Sequence, residues 1–324
     1  MRRNNVFPEI PGHFHARVIE TLYPEKNNTT ERIRIMNKKR VLAVAAAVLA
    51  LAVAGTMGAY ALISWNAQLA EKFEADPTQQ AELLNNRTSS IINQSVINNG
   101  LTVTAVQSLG DKNGMYILFE VAAPDDLAID CHRDMFETEV AIEGVPNASY
   151  FSGFLSPVHY EIWVFNNDQM DLNGRAISVA LRNLQGDSGK LDLSTKLPGS
   201  WDFSWRIEHQ DHTQVFAVKQ PVDALGLVIE TLEISPLSYT LTIGGGGAAA
   251  LAGSAYAQSS FSLPTFVLSD GTTFGGESFG GPGIQGSAGE TFVSRTSFSK
   301  ILDVDALTGM NIMIDGQLVS VELK

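Results

Sequence analysis

The chain has 324 residues, 44% of them hydrophobic, a formal net charge of −13 and a single cysteine, Cys131. One cysteine excludes an internal disulfide framework, so any exported domain must be held by packing alone. The acidic balance excludes nucleic acid as a natural partner and argues against adhesion to anionic polymer.

The charge is unevenly placed. Residues 1–40 carry nine Lys/Arg against four Asp/Glu, a net of +5, whereas the chain beyond residue 63 carries 13 against 31, a net of −18. In the basic part, between Pro11 and Pro24, Phe14, Val18 and Leu22 recur at four-residue intervals. Ile19 widens that apolar stripe, and Arg17 and Glu20 occupy its solvated side. The prolines set its limits. A helix this short is marginal in water, because nucleation is costly and no core lies nearby. It is therefore expected to fold against a partner or on the inner membrane surface. Phe14, Val18, Ile19 and Leu22 are the candidate partner-binding residues.

Between the two parts lies Val41 to Ile63, 23 residues without a charge. At 1.5 Å per residue this crosses a hydrocarbon core of about 30 Å with some tilt. Nine of the 23 are Val, Leu or Ile, contributing roughly −3 to −5 kcal/mol to insertion. Lys38, Lys39 and Arg40 stand where positive-inside charges belong, and Trp65 suits an interfacial anchor beyond the far end. The expected topology is a single pass through the cell membrane, with a cytoplasmic N-terminal segment (1–40), membrane lipid around 41–63 and a long acidic exterior. The alternative is a secretory signal cut after Ala61, since Met36 to Arg40, the apolar run and Ala59-Tyr60-Ala61 reproduce its charged, apolar and small-residue regions. That alternative makes the rest a secreted or surface-anchored binding or structural protein.

Residues 64–89 read as helical, with Leu69, Phe73, Leu83 and Leu84 apolar and a break at Asp76-Pro77, where Asp76 caps a second helix that Pro77 begins. This segment is expected to be a stalk lifting the exterior from the membrane. From Ser90 the period becomes two. "SIINQSVINNG", "LTVTAVQSL", "MYILFEVAA", "TEVAIEG", "HYEIWVFN" and "AISVALRNL" alternate, separated by turn signals such as Asn99-Gly100 and Asp111-Lys112-Asn113-Gly114. A second series runs from "WDFSWRIEH" through "QVFAVKQPV", "LGLVIETLEIS" and "LSYTLTIGG", resumes after the Gly/Ala/Ser tract 244–260, and closes with the Asp315-Gly316 hairpin in "MNIMIDGQLVSVEL". Short strands with turns at this spacing predict an all-β exterior of two antiparallel, immunoglobulin-like sandwiches, 90–197 and 198–324, divided near Leu197-Pro198-Gly199.

The segments "IPGHFHARVIETLYPEK", "WNAQLAEKF", "INQSVINNGLTVTAVQSLGDKNGMYILFEV", "GSWDFSWRIE", "LEISPLS" and "ILDVDALTGMNIMIDGQLVSVEL" resemble the membrane-bound, anti-sigma-factor-like proteins of Gram-positive bacteria whose exterior is a domain of unknown function. The resemblance spans most of the chain and rests on pattern rather than on catalytic motifs. It implies a place in the membrane beside an extracytoplasmic-function sigma factor, or a similar cytoplasmic regulator, and no chemistry. No Cys precedes residue 131, so the N-terminal part lacks the ligands for the His/Cys zinc site of the zinc-bearing members. At about 40 residues that part is also too small for a folded sigma-binding domain.

Two constellations invite a chemical reading. Gly276-Glu277-Ser278-Phe279-Gly280 matches G-x-S-x-G, but a nucleophile elbow needs a helix after the serine, and "GPGIQGSAG" follows. His209-Gln210-Asp211-His212 places two imidazoles and a carboxylate near one turn, a metal pair only if a third ligand joins them. His13 and His15 fall on different helix faces. The expectation is a non-enzymatic regulator or sensor with no cofactor, no catalytic residues and an exterior ligand that the sequence does not name.

Overall fold

The computed structural model describes residues 65–187, 193–222, 226–246, 248, 262–275, 278–279, 285–286 and 291–323. The apolar span 41–63 and the candidate residues Phe14, Val18, Ile19 and Leu22 lie outside the described residues. Among the described residues no helix is long and apolar enough to cross a membrane. Among the described residues two short helices precede a series of antiparallel β-sheets.

The helices are α1 (Ala67–Lys72) and α2 (Pro77–Asn85). Asn66 accepts from the Gln68 N–H to start the first. Asp76 caps the second by accepting from Thr78 and Gln79, with Pro77 just inside, as the sequence suggests. They do not form a free stalk. Trp65, Leu69, Phe73 and Leu83 are buried in one cluster with Leu109, Tyr116, Leu118, Trp163 and Phe165 of the sheet beneath and with Ile301 near the C-terminus. Phe73 stacks edge-on to Tyr116 at 5.2 Å, and the Lys72 ammonium meets the Glu161 carboxylate at 2.6 Å beneath α1. The reason is elementary. Helices of six and nine residues are too short to persist alone and are stabilised by burying their apolar faces, and the aromatic outer face of the sheet receives them.

The first sandwich holds β1 (Ser89–Asn98), β2 (Leu101–Asp111), β3 (Gly114–Ala122), β4 (Asp134–Ile142), β5 (Ala148–Ser156), β6 (His159–Asn166), β7 (Ala176–Asp187) and β8 (Leu193–Arg206). A sheet of order β1-β2-β3-β6-β5 packs on one of order β4-β7-β8, enclosing Val103, Ile117, Phe119, Ile162, Leu181 and Trp201. Asn99 and Gly100 join β1 to β2 with φ of 47° and 81°, the two positive values a type I′ hairpin demands.

The expected boundary at Leu197-Pro198-Gly199 is corrected here. β8 runs through those residues, pairing Leu197 with Leu184 and Ser200 with Arg182 of β7, so "GSWDFSWR" closes the first sandwich. The proline and glycine look like a linker in sequence, yet β8 is an edge strand, where the missing N–H faces no partner. Trp201 is fully buried, its indole N–H donating to the Leu101 carbonyl at 3.0 Å. The chain leaves the sheets only at 207–213.

The second sandwich holds β9 (Gln214–Val222), β10 (Leu227–Ile234), β11 (Ser238–Gly245), β12 (Thr265–Leu268), β13 (Thr273–Gly275), β14 (Ser278–Phe279), β15 (Gln285–Gly286), β16 (Thr291–Phe298), β17 (Leu307–Ile314) and β18 (Gln317–Glu322). A sheet of order β14-β16-β11-β10-β9, with β15 also on β16, faces one of order β13-β12-β17-β18 across Ile229, Leu241, Phe266, Phe292 and Met310. Asp315 and Gly316 turn the last hairpin with φ of 50° and 76°. The two sandwiches repeat one another: β9-β10-β11-β16 corresponds to β1-β2-β3-β6, and β12-β17-β18 to β4-β7-β8.

Candidate functional site

The repetition brings two equivalent turns together, the one from β2 to β3 and the one from β10 to β11. Asp111 ends β2 and is buried. Its Oδ1 accepts from the backbone N–H of Asn113 at 2.8 Å and of Gly114 at 3.2 Å. Its Oδ2 accepts from the hydroxyls of Ser235 at 2.5 Å and Ser238 at 2.6 Å, which belong to the other sandwich. Asn113 donates to the Ser238 Oγ at 2.8 Å and accepts from the Thr240 hydroxyl at 3.2 Å. Lys112 is ion-paired with Glu233 alongside. Burial pushes the Asp111 carboxyl above the usual carboxylate range, against the pull of the Ser235 and Ser238 hydroxyls and the Asn113 N–H. One carboxylate thus ties the two sandwiches through four donors.

The linker adds a second tie. His209 is buried and its Nε2 lies 2.9 Å from the Ser108 Oγ of β2. Its ring fills the space above Gly110, where a Cβ would come within 2.1 Å of the His209 Nδ1. Burial pushes the imidazole down to about 4, so the ring is neutral at physiological pH. A serine at hydrogen-bond distance from a histidine is half of a nucleophilic dyad. Ser108 is 0% exposed, and among the described residues the His209 Nδ1 has no acceptor to orient the ring.

Beside the seam a cleft of about 490 Å³ opens between α2, the linker and the 301–305 loop. Among the described residues its walls carry Asp76, Glu82, His212, Asp303 and Asp305, and no Lys or Arg. Three of those carboxylates have structural duties. Asp76 caps α2, Asp303 accepts from the N–H groups of Asp305 and Ala306, and Asp305 accepts from Gln214. The field in the cleft favours a cation or a basic group, without a set of ligands committed to one.

The two constellations that the sequence singles out are placed as follows. His209 turns inward to Ser108, whereas His212 contacts the Asn86 carbonyl at the surface. Among the described residues no three His, Cys, Asp or Glu side chains gather as a metal site. Ser278 lies in β14, its backbone paired with Phe298 of β16, so it occupies an extended strand and not a strand-to-helix turn. Gly276, Glu277 and Gly280 of that motif lie outside the described residues, as do Phe14, Val18, Ile19 and Leu22. The residues that sequence reasoning missed are Asp111, Asn113, Ser235 and Ser238. Each sits in a segment legible as a turn, but nothing in a single sequence says that the two turns meet.

No family model and no curated protein matches the chain. Solved structures similar to it include the conserved domain protein from Bacillus anthracis, 16% identical, covering 71% of this chain and 79% of that one with a TM-score of 0.48. They also include FdeC, an Escherichia coli adhesin, 10% identical, covering 72% of this chain and 67% of that one with a TM-score of 0.18. Likenesses of this size carry no argument about function.

Proposed function

We propose that the protein is a non-enzymatic, single-pass membrane regulator or sensor. Residues 41–63 form the anchor, 1–40 lie in the cytoplasm beside an extracytoplasmic-function sigma factor or similar regulator, and two immunoglobulin-like sandwiches form the exterior. The immunoglobulin reading is supported by strand order. β2-β3-β6-β5 over β4-β7-β8, and β10-β11-β16-β14 over β12-β17-β18, follow the A-B-E-D over C-F-G arrangement of such domains, each with one extra strand in front.

The observation that carries the sensor reading is where the chain goes after residue 63. Trp65, Leu69 and Phe73 are buried among residues of the first sandwich together with Ile301 of the second, and the Ile301 N–H donates to the Phe73 carbonyl at 3.2 Å. A ligand or a force that alters the seam therefore acts on the segment that continues into the apolar span. The experiment is a pull-down from solubilised membranes. Phe14→Ala with Leu22→Ala is expected to lose a cytoplasmic partner that the parent retains, with membrane insertion unchanged. Recovery of the same partners from both leaves the docking role of this stripe without support. The secreted alternative rests on the charged, apolar and small-residue regions from Met36 to Ala61. N-terminal sequencing separates the two, since a mature chain starting at Leu62 removes the anchor.

A further inference from the structure

Most free edges among the described strands are guarded, in different ways. β4 carries Asp134, Glu137 and Glu139, β8 carries Lys196 and Pro198, β9 carries Lys219 and Pro221, and β18 ends on Glu322. β13 is only three residues long. β1 has a bulge in its middle, between Ile91 and Gln94, and its Gln94 and Asn98 side chains bond across to the Ser204 and Ser200 carbonyls of β8. Charges, prolines, bulges, shortness and cover are the devices by which strands at an edge avoid pairing with another chain. β5, "ASYFSGFLS", has no charge and no proline. Its ties to β4 run from one face only, where the Tyr150 hydroxyl donates to the Thr138 carbonyl at 2.5 Å and the Ser152 hydroxyl to the Thr138 Oγ1 at 3.1 Å, and Phe151 lies on the other face. Among the described residues its backbone pairs with β6 alone, in regular register from Ala148 to Phe154, shifting only beyond it. It also displays Tyr150 at 39% and Phe151 at 46% exposure.

We propose that β5 is a self-association edge, at which two copies of this chain pair β5 with β5 antiparallel about a two-fold axis through Ser152. The occupant follows from the strand's own symmetry. With Ser152 opposite itself, Phe151 of each copy faces Gly153 of the other, and Tyr150 faces Phe154. Directly opposed residues in an antiparallel pair share a face of the sheet. A Cβ built on Gly153 meets nothing within 4 Å, so the open space above that glycine lies where the exposed Phe151 ring of the second copy arrives. The complement is reciprocal, the condition for a closed isologous dimer. An extended peptide of other composition satisfies the backbone equally; the chain's own segment adds an aromatic ring at each open position. The uncharged strand brings no like charges together along its length. The acidic surface on either side, including Glu139 of β4, repels its copy, so the association strengthens as salt screens it.

The test uses the full-length chain in mild detergent micelles, with sedimentation equilibrium over a range of concentrations at low and high salt. Dimer is expected, favoured by salt, and Phe151→Lys is expected to shift the chain to monomer. Val215→Lys, at an exposed apolar residue on β9, should leave the dimer unchanged. Register is read in a Cys131→Ser background. Ser152→Cys is expected to form a disulfide-linked dimer on mild oxidation, because opposed residues stand about 4.5–5.5 Å apart at Cα. Ser149→Cys should not, because its copy lies about 20 Å away along the strand. A monomer at every concentration and salt, a dimer indifferent to Phe151→Lys, or cross-linking at 149 in preference to 152 overturns the proposal.

Discussion

Asp111→Ala removes a buried carboxyl group that binds both sandwiches through direct hydrogen bonds to its side chain. The change strands two buried hydroxyls, Ser235 and Ser238, and two N–H groups, those of Asn113 and Gly114. A buried donor left without an acceptor costs about 1–3 kcal/mol. Because the hydroxyls can turn toward one another, the expected loss is about 3–5 kcal/mol, the range for removing one side of a buried charged network. It falls on the coupling between the sandwiches more than on either core, since Asp111 lies outside both apolar clusters. All four tryptophans, Trp65, Trp163, Trp201 and Trp205, precede the linker, so their fluorescence follows the first sandwich while far-ultraviolet circular dichroism follows both. In urea the two signals should coincide for the parent and separate for Asp111→Ala. Asp111→Asn keeps the shape and one acceptor, resembles the protonated acid, and should cost only about 1 kcal/mol. The folded carboxyl titrates above 3.8, its unfolded value, because of burial. The folded state therefore holds that proton more tightly, and this contribution to stability, full below 3.8, is lost as pH rises through the raised value. Asp111→Asn should flatten that slope. Coincident transitions in Asp111→Ala, within about 0.5 kcal/mol of the parent, would refute the seam argument, because such a change is the size expected of an ordinary surface substitution.

His209 gives the opposite pH dependence. Its folded value of about 4 lies below the unfolded 6.5, so the unfolded chain takes up a proton first, and up to about 3 kcal/mol is lost as pH falls from the unfolded to the folded value; urea titrations of the parent and His209→Gln should diverge in that window. Gly100→Val forces a branched residue into φ of +81° at the β1–β2 turn and should cost about 1 kcal/mol or more by equilibrium unfolding. Lys72→Met leaves the Glu161 carboxylate buried without its ammonium, an expected loss of about 3–5 kcal/mol, and should expose the chain near Trp65 to limited proteolysis before either sandwich is cut.

What the sequence determined by itself is local. Period-two alternation from Ser90 onward named most strands, because a sheet with one apolar face imposes that period. Asn99-Gly100 and Asp315-Gly316 named their hairpins, because few other residue pairs tolerate two successive positive φ values. Asp76-Pro77 named a helix start through the orphan N–H groups that every helix exposes. The tertiary structure decided what depends on residues distant in the chain. Pro198-Gly199 reads as a linker until β7 is seen pairing across it. Leu69 and Phe73 read as the face of a free stalk until Tyr116 and Trp163 are seen to receive them. Asp111 and Ser238 stand 127 residues apart, each in a turn that sequence alone explains as solvated. Only the packing of two repeated sandwiches removes water from both, and with water gone the carboxylate takes the two hydroxyls as donors in its place.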